Sequence, residues 1–84
     1  MSVMITDPLL VDIRPDIAAG REPFAKIMDA ARAVKPGKAF TLLVPFEPEP
    51  LYGVLSRQGF VYTAEDRGND GYRVIFRRMN GSAP

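Results

Sequence analysis

Residues 39–50 read AFTLLVPFEPEP, and this stretch decides the fold. Its first half, Ala39 to Val44, is a nearly continuous apolar run bounded by turn signals, which is typical of a strand inside a sheet. The second half, Pro45 to Pro50, holds three prolines and two acidic residues. Prolines at this spacing exclude a strand ladder or a helix interior. The stretch therefore predicts a central strand followed by a stiff, acidic loop.

On the N-terminal side, residues Leu9 to Arg14 alternate between apolar and charged side chains, which predicts a half-buried strand that stops at Pro15. Residues Asp16 to Arg21 show no sustained period and are interpreted as a loop. A helix is predicted from Pro23 to Val34, because proline suits the first helical position and apolar residues then recur at helical spacing. The turn Lys35-Pro36-Gly37-Lys38 ends this helix.

On the C-terminal side, apolar spacing predicts a second, short helix from Leu51 to Gln58. Residues 60–65 and 72–77 are rich in β-branched and aromatic residues and flank a dense turn cluster, which predicts a hairpin. Residues 9–78 are interpreted as one domain, preceded by a lead-in at 1–8 and followed by a flexible tail at 79–84.

The predicted order of elements is β-α-β-α-β-β, and right-handed crossovers place both helices on the same face of one sheet. This is an α/β two-layer sandwich, with a four-stranded mixed sheet of order 1-2-4-3 in which only the fourth strand is antiparallel. Alternation along the strands and helices predicts that six side chains are nearly inaccessible to solvent: Phe24, Ile27, Leu42, Val44, Leu55 and Phe76.

Composition excludes several functions. The chain of 84 residues has no cysteine and no histidine, and its net charge is +1. Disulfides, zinc-finger sites, thiol nucleophiles and imidazole bases are therefore excluded, and no metal or cofactor is predicted. Bulk charge does not favour nucleic acid or anionic lipid. The absence of a bilayer-length apolar run, and of a basic segment ahead of an apolar one near the start, predicts a cytoplasmic protein with no membrane partner.

Several motifs carry a family resemblance that covers the chain from Leu9 to Arg78. They are Val11-Asp12-Ile13-Arg14-Pro15, Arg21-Glu22-Pro23-Phe24, Lys35-Pro36-Gly37, Gly59-Phe60 and, most specifically, residues 45–52, PFEPEPLY. On these residues the chain resembles the bacterial domain-of-unknown-function family 2249, which in turn is similar to the TusA/SirA-like sulfur-carrier fold. That resemblance implies the same two-layer sandwich and strand order.

The sulfur carriers hold their persulfide on a Cys-Pro pair that opens the first helix, and Glu22-Pro23 stands at this place here. The resemblance therefore implies the fold but not sulfur transfer. The chain is predicted not to be an enzyme.

The first candidate site combines Arg14, Arg21, Glu22 and Pro23 at the start of the long helix, where free backbone amides favour an anion or an acidic partner. In the alternative interpretation Glu22 caps its own helix and the arginines pair with Asp12 or Asp16.

The second candidate site is the proline-rich loop with Phe46, Glu47, Glu49 and Tyr52. Two carboxylates on a stiff backbone suggest a cation site or an acid–base pair, but a chain this small can hardly enclose a substrate cleft. The alternatives are a rigid acidic loop that favours the next helix dipole, or an epitope that docks a protein, since prolines reduce the entropy lost on binding.

The third candidate is the open sheet face, with Arg14, Arg73 and Arg77 and with Arg78 nearby. Such a face suits RNA or another subunit, but alternation directs the aromatic side chains away from it, which disfavours nucleic acid.

The sequence thus predicts a non-enzymatic binding or adaptor module that docks a protein partner or a small anion at the start of the long helix. Two alternatives remain: an accessory protein of sulfur or redox metabolism, including nitrogen-oxide or haem-iron metabolism, that does not transfer sulfur, and a regulatory RNA-binding module.

Overall fold

The computed structural model describes residues 9–79, so the predicted lead-in and residues 80–84 of the predicted tail lie outside the described part. Four strands, three α-helices and one 3-10 turn succeed one another along the chain. Their bounds are β1 Leu9–Asp12, α1 Arg14–Ala18, α2 Phe24–Ala33, β2 Ala39–Val44, α3 Glu49–Ser56, β3 Phe60–Asp66, a 3-10 turn Gly68–Asp70, and β4 Tyr72–Arg78. None of the helices within residues 9–79 is long and apolar enough to cross a bilayer.

The four strands form one sheet in the order β1-β2-β4-β3, as the sequence predicted. β1 and β2 are parallel, and β4 is antiparallel to both β2 and β3. The last strand along the described chain therefore lies between the second and the third. β1 and β3 are the two edges of this sheet.

The core lies between one face of the sheet and the helices α2 and α3. Both helices contribute buried side chains to the same cluster, Ile27 and Met28 from α2 and Leu55 from α3. The strands contribute alternate residues to it, so the predicted two-layer sandwich is confirmed. The buried apolar strand residues are Val11, Phe40, Leu42, Val44, Phe60, Val74 and Phe76.

Phe76 is the centre of an aromatic cluster in this core. Its ring stacks on Phe40 at a centroid distance of 5.3 Å and meets the edge of Phe60 at 6.5 Å. Tyr52 and Tyr62, which stack on each other, lie 6.4 and 6.1 Å from the same ring. The cluster joins β2, β3, β4 and α3 through one side chain.

The segment after β1 differs from the prediction. The first strand ends at Asp12 rather than Arg14, and residues Arg14–Ala18 form a helix where a strand end and a loop were predicted. The Asp12 carboxylate accepts a hydrogen bond from the backbone amide of Arg14 at 3.0 Å, which satisfies a free amide at the start of α1. Pro15, which was predicted to stop the strand, instead occupies the first turn of α1, after the strand has already ended at Asp12.

The start of α2 also differs, because Pro23 lies just before the helix instead of at its first position. Phe24, predicted to be buried, is 45% exposed, since the first turn extends past the edge of the core. The other five residues of that core prediction, from Ile27 to Phe76, are at most 2% exposed. α3 begins two residues earlier than predicted, at Glu49, and takes Pro50 into its first turn.

Arg78, predicted near the open face, instead lies on the helix side of the sheet. Its guanidinium donates to the carbonyl oxygens of Val34 at 2.7 Å and Ala31 at 2.9 Å, and lies 4.6 Å from the ring centre of Phe60. Val34 directly follows α2, and the Ala31 carbonyl also accepts the amide of Val34 at 3.2 Å, so both acceptors lie at the C-terminal end of the helix. Arg78 therefore attaches the end of α2 to β4, and it is not available on the open face.

Candidate functional site

An apolar groove of about 310 Å³ opens where β1 and β2 end. α1, the start of α2 and the segment between β2 and α3 surround it. Ten of the eleven residues that line it are apolar, namely Ile13, Ile17, Pro23, Phe24, Ile27, Val44, Phe46, Pro48, Pro50 and Leu51, and the eleventh is Glu22. The groove thus contains three of the predicted site residues, Glu22, Pro23 and Phe46.

Two phenylalanines stand at the groove with large parts of their rings in solvent. Phe24 is 45% exposed and Phe46 is 51% exposed. Three prolines, Pro23, Pro48 and Pro50, form part of the wall, and Pro48 is buried. Because each proline fixes its own φ angle, this wall is preorganised.

The cations near the groove are paired with one carboxylate. Asp16 accepts hydrogen bonds from Lys26 Nζ at 2.9 Å and from Arg21 Nη2 at 3.1 Å. The bond from Lys26, followed by that from Arg21, holds the pKa of Asp16 below its ordinary value, against the effect of desolvation. Arg21, a predicted anion-binding residue, therefore belongs to an ion pair beside the groove.

Glu22 caps the helix that it precedes. Its Oε2 accepts a hydrogen bond from the amide of Phe24 at 2.6 Å. One of the free amides at the start of α2 is thus already bonded to a carboxylate of the chain itself. The pairing of Arg21 with Asp16 and the capping by Glu22 are the arrangement of the alternative interpretation.

Arg14 does not join the groove. Its Nε and Nη2 donate to the two carboxylate oxygens of Asp12 at 2.9 and 3.0 Å, and its Nη1 donates to the carbonyl of Asp70 at 3.4 Å. The hydrogen bond from Arg14 lowers the pKa of Asp12, against the effect of desolvation. Arg14 lines a separate hollow of about 460 Å³ on the open face, together with Leu10, Thr41, Leu43, Arg67, Asp70 and Arg73.

The remaining predicted residues lie in or after the proline-rich segment. Glu47 accepts a hydrogen bond from the hydroxyl of Tyr52 at 3.2 Å, and Glu49 is the first residue of α3. The ring of Tyr52 stacks on Tyr62 with centroids 3.8 Å apart. The hydrogen bond between Tyr52 and Glu47 attaches the loop to α3.

Within residues 9–79, no group of three acidic side chains could hold a metal ion.

Tyr52 has a consequence for stability at high pH. Burial, and then the hydrogen bond to Glu47, raises its pKa from 10.0 to about 12. A group whose pKa is raised by folding stabilises the fold below its unfolded pKa, and this stabilisation disappears as the pH rises through the folded value. We expect the free energy of unfolding, measured with urea, to fall between about pH 10 and pH 12, and to fall less in Tyr52→Phe. Equal losses in both proteins would contradict the assignment.

Several groove residues escaped the sequence prediction. Ile17 belongs to α1, which was interpreted as a loop, and Phe24 was assigned to the core because it continues the apolar period of α2. A signal for Ile17 is present, since Asp12 precedes Arg14-Pro15 by the spacing of a side-chain cap and a proline in the first turn. No such signal marks Phe24, because periodicity does not show where a helix passes the edge of a sheet.

Fold and groove define a small two-layer α/β domain with strand order 1-2-4-3 and an apolar groove at the ends of its two parallel strands. Residues 10–78 match the family described as "Uncharacterized conserved protein (DUF2249)", and the chain belongs to that family. The predicted membership of family 2249 is thereby confirmed. Neither a curated protein nor a solved structure matched the chain.

Proposed function

We propose that this domain is a non-enzymatic binding module that docks a segment of a protein partner in the apolar groove. The observation that carries the proposal is the pair of half-exposed phenylalanines, Phe24 and Phe46, that line a proline-walled apolar concavity. Large exposed apolar side chains grouped around a concavity are typical of protein interaction sites. The rigid wall lowers the ordering cost of binding.

The charges around the groove support a segment that carries lysine or arginine beside its apolar side chains. Glu22 lines the groove, and Glu47 and Glu49 alternate with the prolines of its wall. The nearby cations Arg21 and Lys26 are both paired with Asp16. None of these three carboxylates has a cationic partner among residues 9–79, and negative charge next to an apolar groove favours a basic partner through electrostatic complementarity.

The other form of the prediction, a small anion at the start of the long helix, has less support. The carboxylate of Glu22 already accepts the amide of Phe24, and Arg21 is bound to Asp16. An anion would have to displace one of these carboxylates. The geometry therefore favours the peptide over the anion.

Peptides selected from a random display library on the immobilised protein test the proposal. We expect enriched sequences to combine bulky apolar residues with lysine or arginine. In an NMR titration with a synthetic enriched peptide, the amides of residues 22–25 and 46–52 should shift, while sulfate and phosphate should leave them unchanged. Shifts confined to Arg73, Ile75 and Arg77 would place binding on the open face and refute the groove.

Phe46→Ser should weaken binding of the enriched peptide by tenfold or more, about 1.4 kcal/mol, because an apolar contact at the centre of the site is lost. Leu10→Ser is the matched control, since Leu10 is an apolar side chain that is 59% exposed and lies on the open face. Isothermal titration calorimetry measures both affinities. Equal affinity of Phe46→Ser and Leu10→Ser would exclude the groove as the binding site.

A second candidate is an accessory role in sulfur or redox metabolism without sulfur transfer. The sheet order 1-2-4-3 supports a relationship to the sulfur-carrier fold, because the resemblance implied this order. Under this proposal the groove is the docking surface of a carrier-like domain, and Glu22-Pro23 replaces the reactive thiol. Labelled sulfur from a cysteine desulfurase should then not be transferred to the protein, because the chain has no thiol to accept it.

The RNA-binding alternative has no comparable support. Arg14 is bound to Asp12, and both Arg67 and Arg73 pair with Glu65. Tyr62 points to the helix side, where it stacks on Tyr52. The hollow on the open face therefore offers arginines that already have acidic partners, and no aromatic ring for a base to stack on is among its lining residues.

A further inference from the structure

The outer edge of β3 is open along its whole length. In the sheet formed by residues 9–79, β3 pairs with β4 alone. Six of its seven residues are exposed, and Phe60 is the buried one. β3 is also longer than the other edge strand, β1, which has four residues. An exposed edge of this length presents a row of unpaired backbone donors and acceptors.

The register identifies which backbone groups face outward. The amide of Met79 donates to Gly59 at 2.9 Å, and the amide of Arg67 donates to Gly71 at 2.7 Å. Both bonds continue the β3–β4 register, because the numbers of the two residues in each opposite pair always add up to the same value. Odd-numbered residues of β3 therefore bond to β4. The backbone groups of Phe60, Tyr62, Ala64 and Asp66 point to the open edge.

The sequence of this strand, FVYTAED, has neither lysine nor proline, and its pairing with β4 is uninterrupted by a bulge. Lysine, proline and β-bulges are features with which natural edge strands prevent pairing with another chain. We propose that β3 pairs in antiparallel fashion with β3 of a second copy of this chain, about a two-fold axis at Thr63. Two sheets would then join into one of eight strands.

The register centred on Thr63 forms the most hydrogen bonds. It opposes Phe60 to Asp66 and Tyr62 to Ala64 of the second copy, which gives four bonded pairs and about eight hydrogen bonds. Centring the axis on Tyr62 or on Ala64 leaves three bonded pairs. The number of satisfied edge groups thus selects one register.

Side chains agree with that register on both faces. On the helix side, the large ring of Tyr62, which is 43% exposed, lies opposite the small side chain of Ala64. On the open face, Glu65 lies opposite Val61, so that the two copies of Glu65 do not oppose each other. Val61 has Arg77 as its neighbour on β4, which places a cation within reach of the incoming Glu65.

A single cysteine tests the axis directly, because the chain has no cysteine of its own. The two copies of residue 63 should form a non-hydrogen-bonded pair with Cα atoms about 4.5 Å apart, which suits a disulfide. Thr63→Cys should therefore give a disulfide-linked dimer under mild oxidation. Glu65→Cys is the matched control, since four residues of offset separate its copies by about 13 Å. Equal cross-linking of both variants, or none in Thr63→Cys, would overturn the register.

Sedimentation velocity of the unmodified chain over a range of concentrations should show a monomer–dimer equilibrium. Val61→Glu places two like-charge pairs in the interface, opposite Glu65, and should weaken the dimer about tenfold. It leaves the fold intact, because the new carboxylate faces Arg77 within its own sheet. Val61→Lys should retain the dimer. A monomer at every concentration, or equal dimerisation of the two variants, would refute the proposal.

Discussion

Phe76→Ala is expected to lower the free energy of unfolding by about 3–5 kcal/mol, the range for large-to-small changes at fully buried aromatic positions. Phe76 is 0% exposed and contacts rings from three other elements. A domain of this size has a total stability of only about 5–10 kcal/mol. The change should therefore remove between about a third and all of this stability, because collapse around the missing ring would disturb β2, β3 and α3 together.

Urea unfolding followed by far-UV circular dichroism measures this effect. Val61→Ala is the matched control, since Val61 lies in the neighbouring strand and is 49% exposed. Its free energy of unfolding should stay within about 0.5–1 kcal/mol of the unchanged chain. A Phe76→Ala protein that unfolds cooperatively within 1 kcal/mol of the unchanged chain, on the order of the control, would show that the aromatic cluster is not the centre of the core.

Gly71→Ala is expected to have the second largest effect, a loss of at least about 3 kcal/mol, because backbone strain and a steric clash combine. Gly71 has φ 91° and ψ −137°, a conformation that is nearly exclusive to glycine. A Cβ atom there would overlap the carbonyl oxygen of Val44 and lie 2.8 Å from Cα of Pro45. Both obstacles are backbone atoms, which cannot move aside as a flexible side chain can.

Gly68→Ala is the matched control, a glycine with positive φ whose substitution causes no clash. Gly68 has φ 63°, and an added Cβ would meet nothing within 4 Å. Only the left-handed backbone then contributes, about 1–2 kcal/mol. The difference between the two variants in urea unfolding measures the clash at the end of β2 together with the greater backbone strain at Gly71. If Gly71→Ala lost no more stability than Gly68→Ala, the close approach of Gly71 to Val44 would be refuted.

The sheet was predictable because local pattern and topology agree at every strand. Alternation assigned the faces of β2 and β4, and the handedness of crossovers placed both helices on one side. α1 was missed because its five residues are too few to show a helical period. Asp12 ahead of Arg14-Pro15 is its one sequence signal, and the fold shows that the Arg14 amide does bond to the Asp12 carboxylate.

The location of the candidate site was predictable, but its chemistry was not. The carboxyl ends of the parallel strands indicated the region around Glu22 and Phe46, where the groove lies. Sequence could not decide between a free cation and a paired one. Arg21 and Arg14 each had an aspartate nearby in the chain, and only the fold shows that both pairs form.

The position of β4 constrains the order in which the molecule can assemble during synthesis. β2 and β3 share no hydrogen bonds, and β4, which follows both along the chain, joins them. A ribosome releases β1 to β3 before β4, so the nascent chain carries an unpaired β3 and a β2 with one open side until residues 72–78 emerge. Until then the apolar faces of α2 and α3 cannot pack against Val74 and Phe76. Cooperative folding must therefore await β4. The same delay exposes these segments to chaperones and to neighbouring nascent chains.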